Sequence, residues 1–278
     1  MSGFHLGPKA RSAGFRLTAF DSIGSTNTEA AAAAMAGDPG NSWFAALQQT
    51  AGRGRRGRQW ETPHGNLAAS LLLRPDADAS VVATLGFVAG VALNGALSEV
   101  LPGARMKVGI DGADGDGPSG PARIALKWPN DVLADGAKLA GILLEAQTGP
   151  GGAPVITIGF GVNVVAAPQG LPYPAVSIAD LDVAPDAAVI FEALTEHWVS
   201  AYALWNNGRG VQAVLAEWRQ SAAGIGAEVA INMDGTVVRG VFETIDDAGR
   251  LIVKMDDGQR VPIAAGDVHF GTTASIRS

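Results

Sequence analysis

A chain of 278 residues, 47% of them hydrophobic, is long enough to bury one large core and leaves room for a second, smaller unit. A net charge of −7 argues against a general nucleic-acid or membrane-surface binder, which needs a broad basic face. The absence of cysteine excludes disulfides, thiolate metal sites and cysteine nucleophiles, and it fits a reducing cytoplasm.

From Met1 to Phe15 the chain carries Pro8, Lys9 and Arg11 with no apolar centre, so it does not read as a signal peptide. No apolar run anywhere approaches the ~18 unbroken residues of a bilayer-spanning helix. Leu17 to Phe20 reads as a strand, followed by Gly24-Ser25-Thr26-Asn27 and a helix. Thr26 and Glu29 have capping-box spacing, Ala30 to Met35 are helix formers, and Gly37 with Pro39 supplies the stop. Trp43 to Gln49 and Asn66 to Leu73 read as strands flanking Gly52-Arg53-Gly54-Arg55-Arg56-Gly57-Arg58, which sets four guanidinium groups in six positions. Their mutual repulsion and the glycines between them predict a loop that stays loose until an anion neutralises it. Thr84 to Val100 reads as a helix, small on one side at Gly86, Ala89, Gly90 and Ala92, as for close packing on a sheet.

Residues 109 to 121 are rich in Gly, Asp, Pro and Ser and read as a surface extension. Ile124 to Trp128, Gly141 to Gln147 and Val155 to Val164 supply three strands, and Asp186 to Asn206 and Val211 to Gln220 two helices. After Gly224 short alternating segments with Asp-Gly and Ala-Gly turns give a barrel-like all-β module of about 50 residues.

Read literally, Gly52-x-Gly54-x-x-Gly57 is a dinucleotide fingerprint, but Pro63 and Gly65 break the helix that should follow it. An RNA-binding tract of this type is usually longer, repeated and disordered, whereas this one is single and lies between apolar strands. There is no P-loop and no nucleophile elbow, and His5, His64, His197 and His269 lack metal-ligand spacing. Lys127-Trp128-Pro129-Asn130-Asp131 turns out of a strand, and Lys138 begins the next. A hairpin there brings a cation, a carboxylate and an amide together, although the same segment also reads as a surface turn with a salt bridge. In Gly159-Phe160-Gly161-Val162-Asn163, two glycines within a buried strand mark a close approach by a ligand or another backbone.

Taken in order, Gly24 to Asn27, Gln49 to Trp60, Gly65-Asn66-Leu67, Lys127 to Asp131, Lys138 to Ile142 and Gly159 to Asn163 resemble the biotin protein ligases, over roughly residues 17 to 270. The resemblance implies an α+β fold: a catalytic domain over 1–223, with a mixed β-sheet and flanking helices, and a small SH3-like β-barrel over 224–278. It implies an enzyme that makes biotinyl-5′-AMP from biotin and ATP with Mg²⁺, then passes biotin to a lysine of a carrier domain. That partner is the biotin carboxyl carrier protein of acetyl-CoA carboxylase or of another biotin-dependent carboxylase.

By the same resemblance Ser25, Thr26 and Gln49 hold the ureido ring of biotin, Asn27 is a further biotin-binding residue, and Gly52 and Gly141 let backbone come close. Arg53, Arg55, Arg56 and Arg58 close over the carboxylate and phosphates, with Arg53 and Arg55 reaching biotin as well as ATP. Trp60 packs on adenine, Lys138 binds carboxyl and α-phosphate oxygens, and Asn130 and Asn163 touch phosphate or ribose. Catalysis falls to Lys138, Arg53 and Asp131, and Asp131 binds metal or steers the carrier lysine. Only 16 residues precede the first expected strand, so the N-terminal DNA-binding domain of some members is not expected, and neither DNA nor a membrane is expected as a partner. The expected form is a cytoplasmic monomer or homodimer. Lipoate or octanoate ligases share the fold but typically lack the arginine run and the Trp-Pro-Asn-Asp segment. A non-catalytic carrier-binding protein is expected to have lost Lys138 or arginines.

Overall fold

The apolar segments assemble into two β-sheets in a computed structural model that describes residues 3–104, 123–152, 154–183, 185–233 and 236–270. The expected extension at 109–121 lies outside the described residues. The larger sheet holds β1 (Arg16–Ile23), β2 (Ser42–Gln49), β3 (Leu67–Leu73), β4 (Ile124–Lys127), β5 (Asp131–Ala134), β6 (Ala137–Thr148) and β7 (Pro154–Val162). Their order is β1-β2-β3-β7-β6-β5-β4. β1 and β2 are parallel and the other neighbours antiparallel, so the sheet is mixed.

Six helices accompany it among the described residues: α1 (Pro8–Ser12), α2 (Thr26–Met35), α3 (Ala79–Val82), α4 (Leu85–Val100), α5 (Ala187–Trp205) and α6 (Val211–Gln220). The interior strand β3 is buried throughout because both of its faces are covered. Leu71 and Leu73 join the main core with α4 and α5, while Leu72 on the other face packs with Ala30 and Ala34 of α2. Trp43 anchors the main core, with ring centroids of Phe160 and Phe191 at 5.6 Å and Trp198 at 6.2 Å. The small side of α4 works as its sequence suggests: a Cβ at Gly90 would meet Trp218 of α6 at 3.4 Å and Leu126 of β4 at 3.5 Å. The stretch Ser80–Val100 has the length and mean hydropathy (1.8) of a membrane span, and 56% of it is buried inside the protein as the core helix α4 with its approach.

Three details correct the sequence reading. Ser25, not Thr26, caps α2: its Oγ accepts the Thr28 N–H at 3.4 Å, and Thr26 is already the first helical residue. The Thr26–Glu29 capping box does not form, because the Thr26 N–H and hydroxyl are both directed at Gln49. The N-terminal segment holds α1, tied to α5 by Gly7 N–H on Thr195 Oγ1 at 2.9 Å and Lys9 N–H on Glu196 Oε1 at 2.6 Å. β6 starts at Ala137, so β5 and β6 form the hairpin that the sequence predicts at Lys138.

The second sheet is antiparallel: β8 (Glu228–Met233), β9 (Thr236–Ile245), β10 (Leu251–Lys254), β11 (Arg260–Ile263) and β12 (Asp267–Phe270), in the order β11-β10-β9-β8-β12. The alternating pattern marked all but β12, whose four residues are too few to show a period. Trp128 Nε1 donates to Gly249 O at 2.9 Å, and the Arg219 guanidinium to Ile245 O at 2.9 Å, so this sheet is fastened to the larger one next to the Lys127–Asp131 turn.

Candidate active site

The arginine segment leaves β2 as a narrow hairpin. Gly54 N–H bonds to Arg58 O at 2.7 Å and Trp60 N–H to Gly52 O at 3.0 Å, and Arg53 bridges Gln59. The turn at its tip uses left-handed φ values of 56° at Arg56 and 72° at Gly57, the second a conformation glycine adopts without strain. A Cβ at Gly52 would stand 2.4 Å from Trp60 O, so this glycine serves closure of the hairpin. A Cβ there would also meet Gln49 Nε2 at 2.8 Å, and Gly52 itself does not line the cavity below.

Each arginine already has a neighbour in the protein. Arg58 Nη2 lies 2.5 Å from Asp267 Oδ2 and Arg56 Nη1 3.6 Å from the same oxygen. Arg55 Nη1 donates to Asn130 Oδ1 at 3.1 Å, and Arg53 Nη2 to Thr28 Oγ1 at 3.3 Å. The segment is folded as a hairpin with a carboxylate from β12 beside its charges, an anion that the sequence reading did not supply. Partial burial alone would raise the Asp267 carboxyl. The Arg58 hydrogen bond and the charges of Arg58, Arg56 and Arg55 instead hold it below the usual carboxylate range. Burial pulls the Arg55 guanidinium below its ordinary value, opposed by Asp267 and Asp131.

Below the hairpin, the β5–β6 pairing sets Asp131 opposite Gly141 and brings Lys138 back beside it. Lys138 Nζ is 2.8 Å from Asp131 Oδ1 with both side chains largely buried. The carboxylate oxygen lies off the hydrogen-bonding direction, so this is an ion pair by distance that leaves Oδ1 without an aligned donor. Asn130 Nδ2 donates to Ile142 O at 2.6 Å, which fixes the turn. The cation, carboxylate and amide expected from the hairpin do converge. Lys127 adds a second cation, its pKa lowered by burial and raised in part by Asp131.

The floor is glycine. A Cβ at Gly161 would lie 2.4 Å from the Trp60 indole and one at Gly141 3.1 Å from it, so the ring rests flat on β6 and β7. The other glycine of that pair, Gly159, makes room for Asn27, whose Oδ1 would be 2.4 Å from a Cβ. Lys138 Nζ sits 5.3 Å from the Trp60 ring centroid and 5.6 Å from that of Tyr173.

Ser25, Thr26, Asn27, Gln49, Arg53, Arg55, Arg58, Trp60, Asn130, Asp131, Lys138 and Gly141 thus line one cavity, of about 790 Å³ including its mouth. Gly52, Arg56 and Asn163 do not. Asn163 is buried, with Nδ2 donating to Val176 O at 3.2 Å and Lys138 O at 3.4 Å, so it braces the strand that carries Lys138. It borders instead a neighbouring cavity of about 430 Å³ with Trp60, Lys138 and Tyr173, into which its Oδ1 brings no partner of its own. Asn66, in the Gly65-Asn66-Leu67 motif, is structural: its Oδ1 accepts from Val164, Val165 and Ala166 N–H and clamps the chain leaving β7.

Sequence reasoning missed Asp267 and Tyr173, which also line the cavity. A Gly-Asp turn near the end of the second sheet could have drawn attention to Asp267; Tyr173 carries no local signal. Among the described residues no group of three or more His, Asp and Glu could hold a metal ion.

A deep cavity that combines a polar amide and hydroxyl wall with four cations defines an anion-handling catalytic pocket in a mixed α+β fold. Residues 20–163 match the model of the biotin/lipoate A/B protein ligase family, and residues 224–271 that of the biotin protein ligase C-terminal domain. The chain belongs to the biotin/lipoate A/B protein ligase family. It is 37% identical over 252 residues to the biotin–[acetyl-CoA-carboxylase] ligase of Paracoccus denitrificans, covering 89% of this chain and 97% of that one. It is 35% identical to the Mycobacterium tuberculosis enzyme of the same name, covering 88% and 85%. The fold superposes on that of the biotin protein ligase from Aquifex aeolicus solved with biotin and ATP, with a TM-score of 0.72 at 20% identity, over 92% of this chain and 98% of that one.

Proposed function

We propose that this chain is an ATP-dependent biotin protein ligase. It joins biotin to ATP to give biotinyl-5′-AMP and pyrophosphate, then transfers the biotinyl group to a lysine of the biotin carboxyl carrier protein of acetyl-CoA carboxylase or of a related biotin-dependent carboxylase. The observation that carries this reading is the convergence of Lys138 with Arg53, Arg55 and Arg58 in the cavity that also holds the Thr26–Gln49 hydrogen-bonded pair. In the first step the ionised carboxylate of biotin attacks the α-phosphorus and the bond to the pyrophosphate oxygen breaks. The protein need supply no nucleophile; it supplies fixed positive charge where phosphate oxygens gain negative charge. Lys138 and Arg55, both partly buried, do this where charge interactions are less screened.

In the second step the carrier amine attacks the acyl carbon, AMP leaves, and Asp131 steers the incoming lysine. The arginine hairpin and Trp60 cover the mixed anhydride, which water would hydrolyse. We assign adenine to the second cavity, walled by Trp60 and Tyr173 with Asn163 at its edge. Asp131 Oδ1, buried without an aligned donor, is a carboxylate that would hold Mg²⁺ entering with ATP, an ion that takes most of its ligands from phosphate and water and would offset phosphate charge there. A lipoyl or octanoyl tail would leave the polar wall of Ser25, Thr26, Asn27 and Gln49 unpaired, which disfavours the alternative substrates.

We take 1–223 as the catalytic domain and 224–278 as an SH3-like barrel domain, in a cytoplasmic monomer or homodimer without DNA or membrane partners. Incubating the purified chain with ATP, Mg²⁺ and an apo carrier domain tests the reading. Biotin is expected to appear on one carrier lysine by intact mass and peptide mapping, and lipoate or octanoate not to. Transfer of lipoate in preference to biotin would contradict it.

A further inference from the structure

Where the two cavities meet, one cation stands among aromatic rings. Gln59, Trp60, Lys138 and Tyr173 line both cavities, so a molecule that spans them passes these four side chains. Lys138 Nζ lies over the ring of Trp60 at 5.3 Å and over that of Tyr173 at 5.6 Å, and it is 2.8 Å from Asp131 Oδ1. The two rings are carried differently. Trp60 ends the arginine hairpin, whereas Tyr173 opens a stretch pinned to the backbone of Lys138 itself: Pro174 O accepts the Lys138 N–H at 2.8 Å, and Lys138 O accepts the Val176 N–H at 3.0 Å. Asn163 Nδ2, just past the end of β7, donates to Val176 O at 3.2 Å and fastens the same stretch from its other side.

These neighbours act differently on the ammonium charge. Asp131 holds the cation by neutralising it, and a neutralised lysine contributes little at phosphate oxygens. An aromatic face attracts a cation through its quadrupole and leaves the net charge in place. When Lys138 turns from Asp131 to the oxygens of a substrate, the ring faces are the neighbours that do not compete for that charge. Tyr173 rides on the backbone of Lys138, so its ring keeps register with that side chain whatever the hairpin does.

We propose that Tyr173 is a positioning residue for the adenylation step: its ring, anchored to the backbone of Lys138, holds the ammonium between the two cavities with its charge free for carboxylate and α-phosphate oxygens. This rests on the reading that the cavities take biotin and ATP.

The test changes the electronics of the ring while keeping its shape, and reads kcat and KM for ATP in biotin-dependent ATP–pyrophosphate exchange. Tyr173→Phe keeps the ring face and is expected to stay within about twofold of the wild type in kcat. Pentafluorophenylalanine at position 173 fills the same space with a reversed quadrupole, and Tyr173→Leu fills it with none. Each should lower kcat by about tenfold, while KM for ATP in the fluorinated variant stays within about threefold. The fluorinated variant carries the test if Tyr173→Leu does not fold. Wild-type kcat in the fluorinated variant overturns the inference. So does a loss confined to KM for ATP, which would assign Tyr173 to the base and not to Lys138. Tyr173→Phe as impaired as Tyr173→Leu overturns it as well, because the hydroxyl and not the ring face would then act. A wild type with no biotin-dependent exchange overturns the underlying reading and the inference with it.

Discussion

Lys138 is where the chemistry of the site concentrates: its ammonium faces a carboxylate at 2.8 Å and two aromatic rings, at the foot of an arginine hairpin. Removing it leaves Asp131 without its ion-pair partner and withdraws one of the cations that line the cavity. Lys138→Ala should lower biotinyl-5′-AMP formation by about 10²-fold or more while the far-UV spectrum stays native. Wild-type exchange in this variant would remove Lys138 from catalysis. This residue and Asp131 were legible in the sequence because a short hairpin fixes which side chains meet. Asp267 was not: it reaches the site only through the packing of a separate sheet, which no local pattern encodes. Asn163 and Gly52 were legible as special positions, a polar amide in an apolar run and a glycine at the foot of the arginine segment; the backbone each one braces or closes was not, because those contacts form only where the chain folds back on itself.

At the scale of elements, the arginine hairpin is closed by the protein's own anion. Asp267→Ala should leave Arg56 and Arg58 without that carboxylate, and limited trypsin digestion should then cut the hairpin several-fold faster than in the wild type. Biotin with ATP should bring the two rates together, because the phosphates supply the missing charge. Equal rates without ligand would show that Asp267 does not hold the loop. Since the folded-state pKa of Asp267 is lowered, its contribution is present above the ordinary value of about 3.9 and is lost as pH falls through the lowered one. Hairpin protection should therefore be flat from about pH 6 to 8 and fail only in acid, a profile read by pulse digestion with acid- and neutral-active proteases. Arg58 is 59% exposed, so salt should weaken the contact as well.

For the whole molecule, the larger sheet and its helices were readable from apolar runs, and the second sheet from alternation and Asp-Gly turns. The joint between them was not readable, because it uses single hydrogen bonds such as Trp128 Nε1 to Gly249 O. Trp128→Phe keeps most of the ring and deletes that donor, leaving a buried carbonyl unpaired. It should cost about 1–3 kcal/mol and lower Tm by a few degrees in thermal denaturation. The central claim, that the cavity adenylates biotin, is tested most directly by ATP–pyrophosphate exchange measured side by side with biotin, lipoate and octanoate. Exchange that depends on biotin, and is at background with the other two acids, is the result expected. Exchange driven by lipoate or octanoate, or by none of the three, would contradict the account.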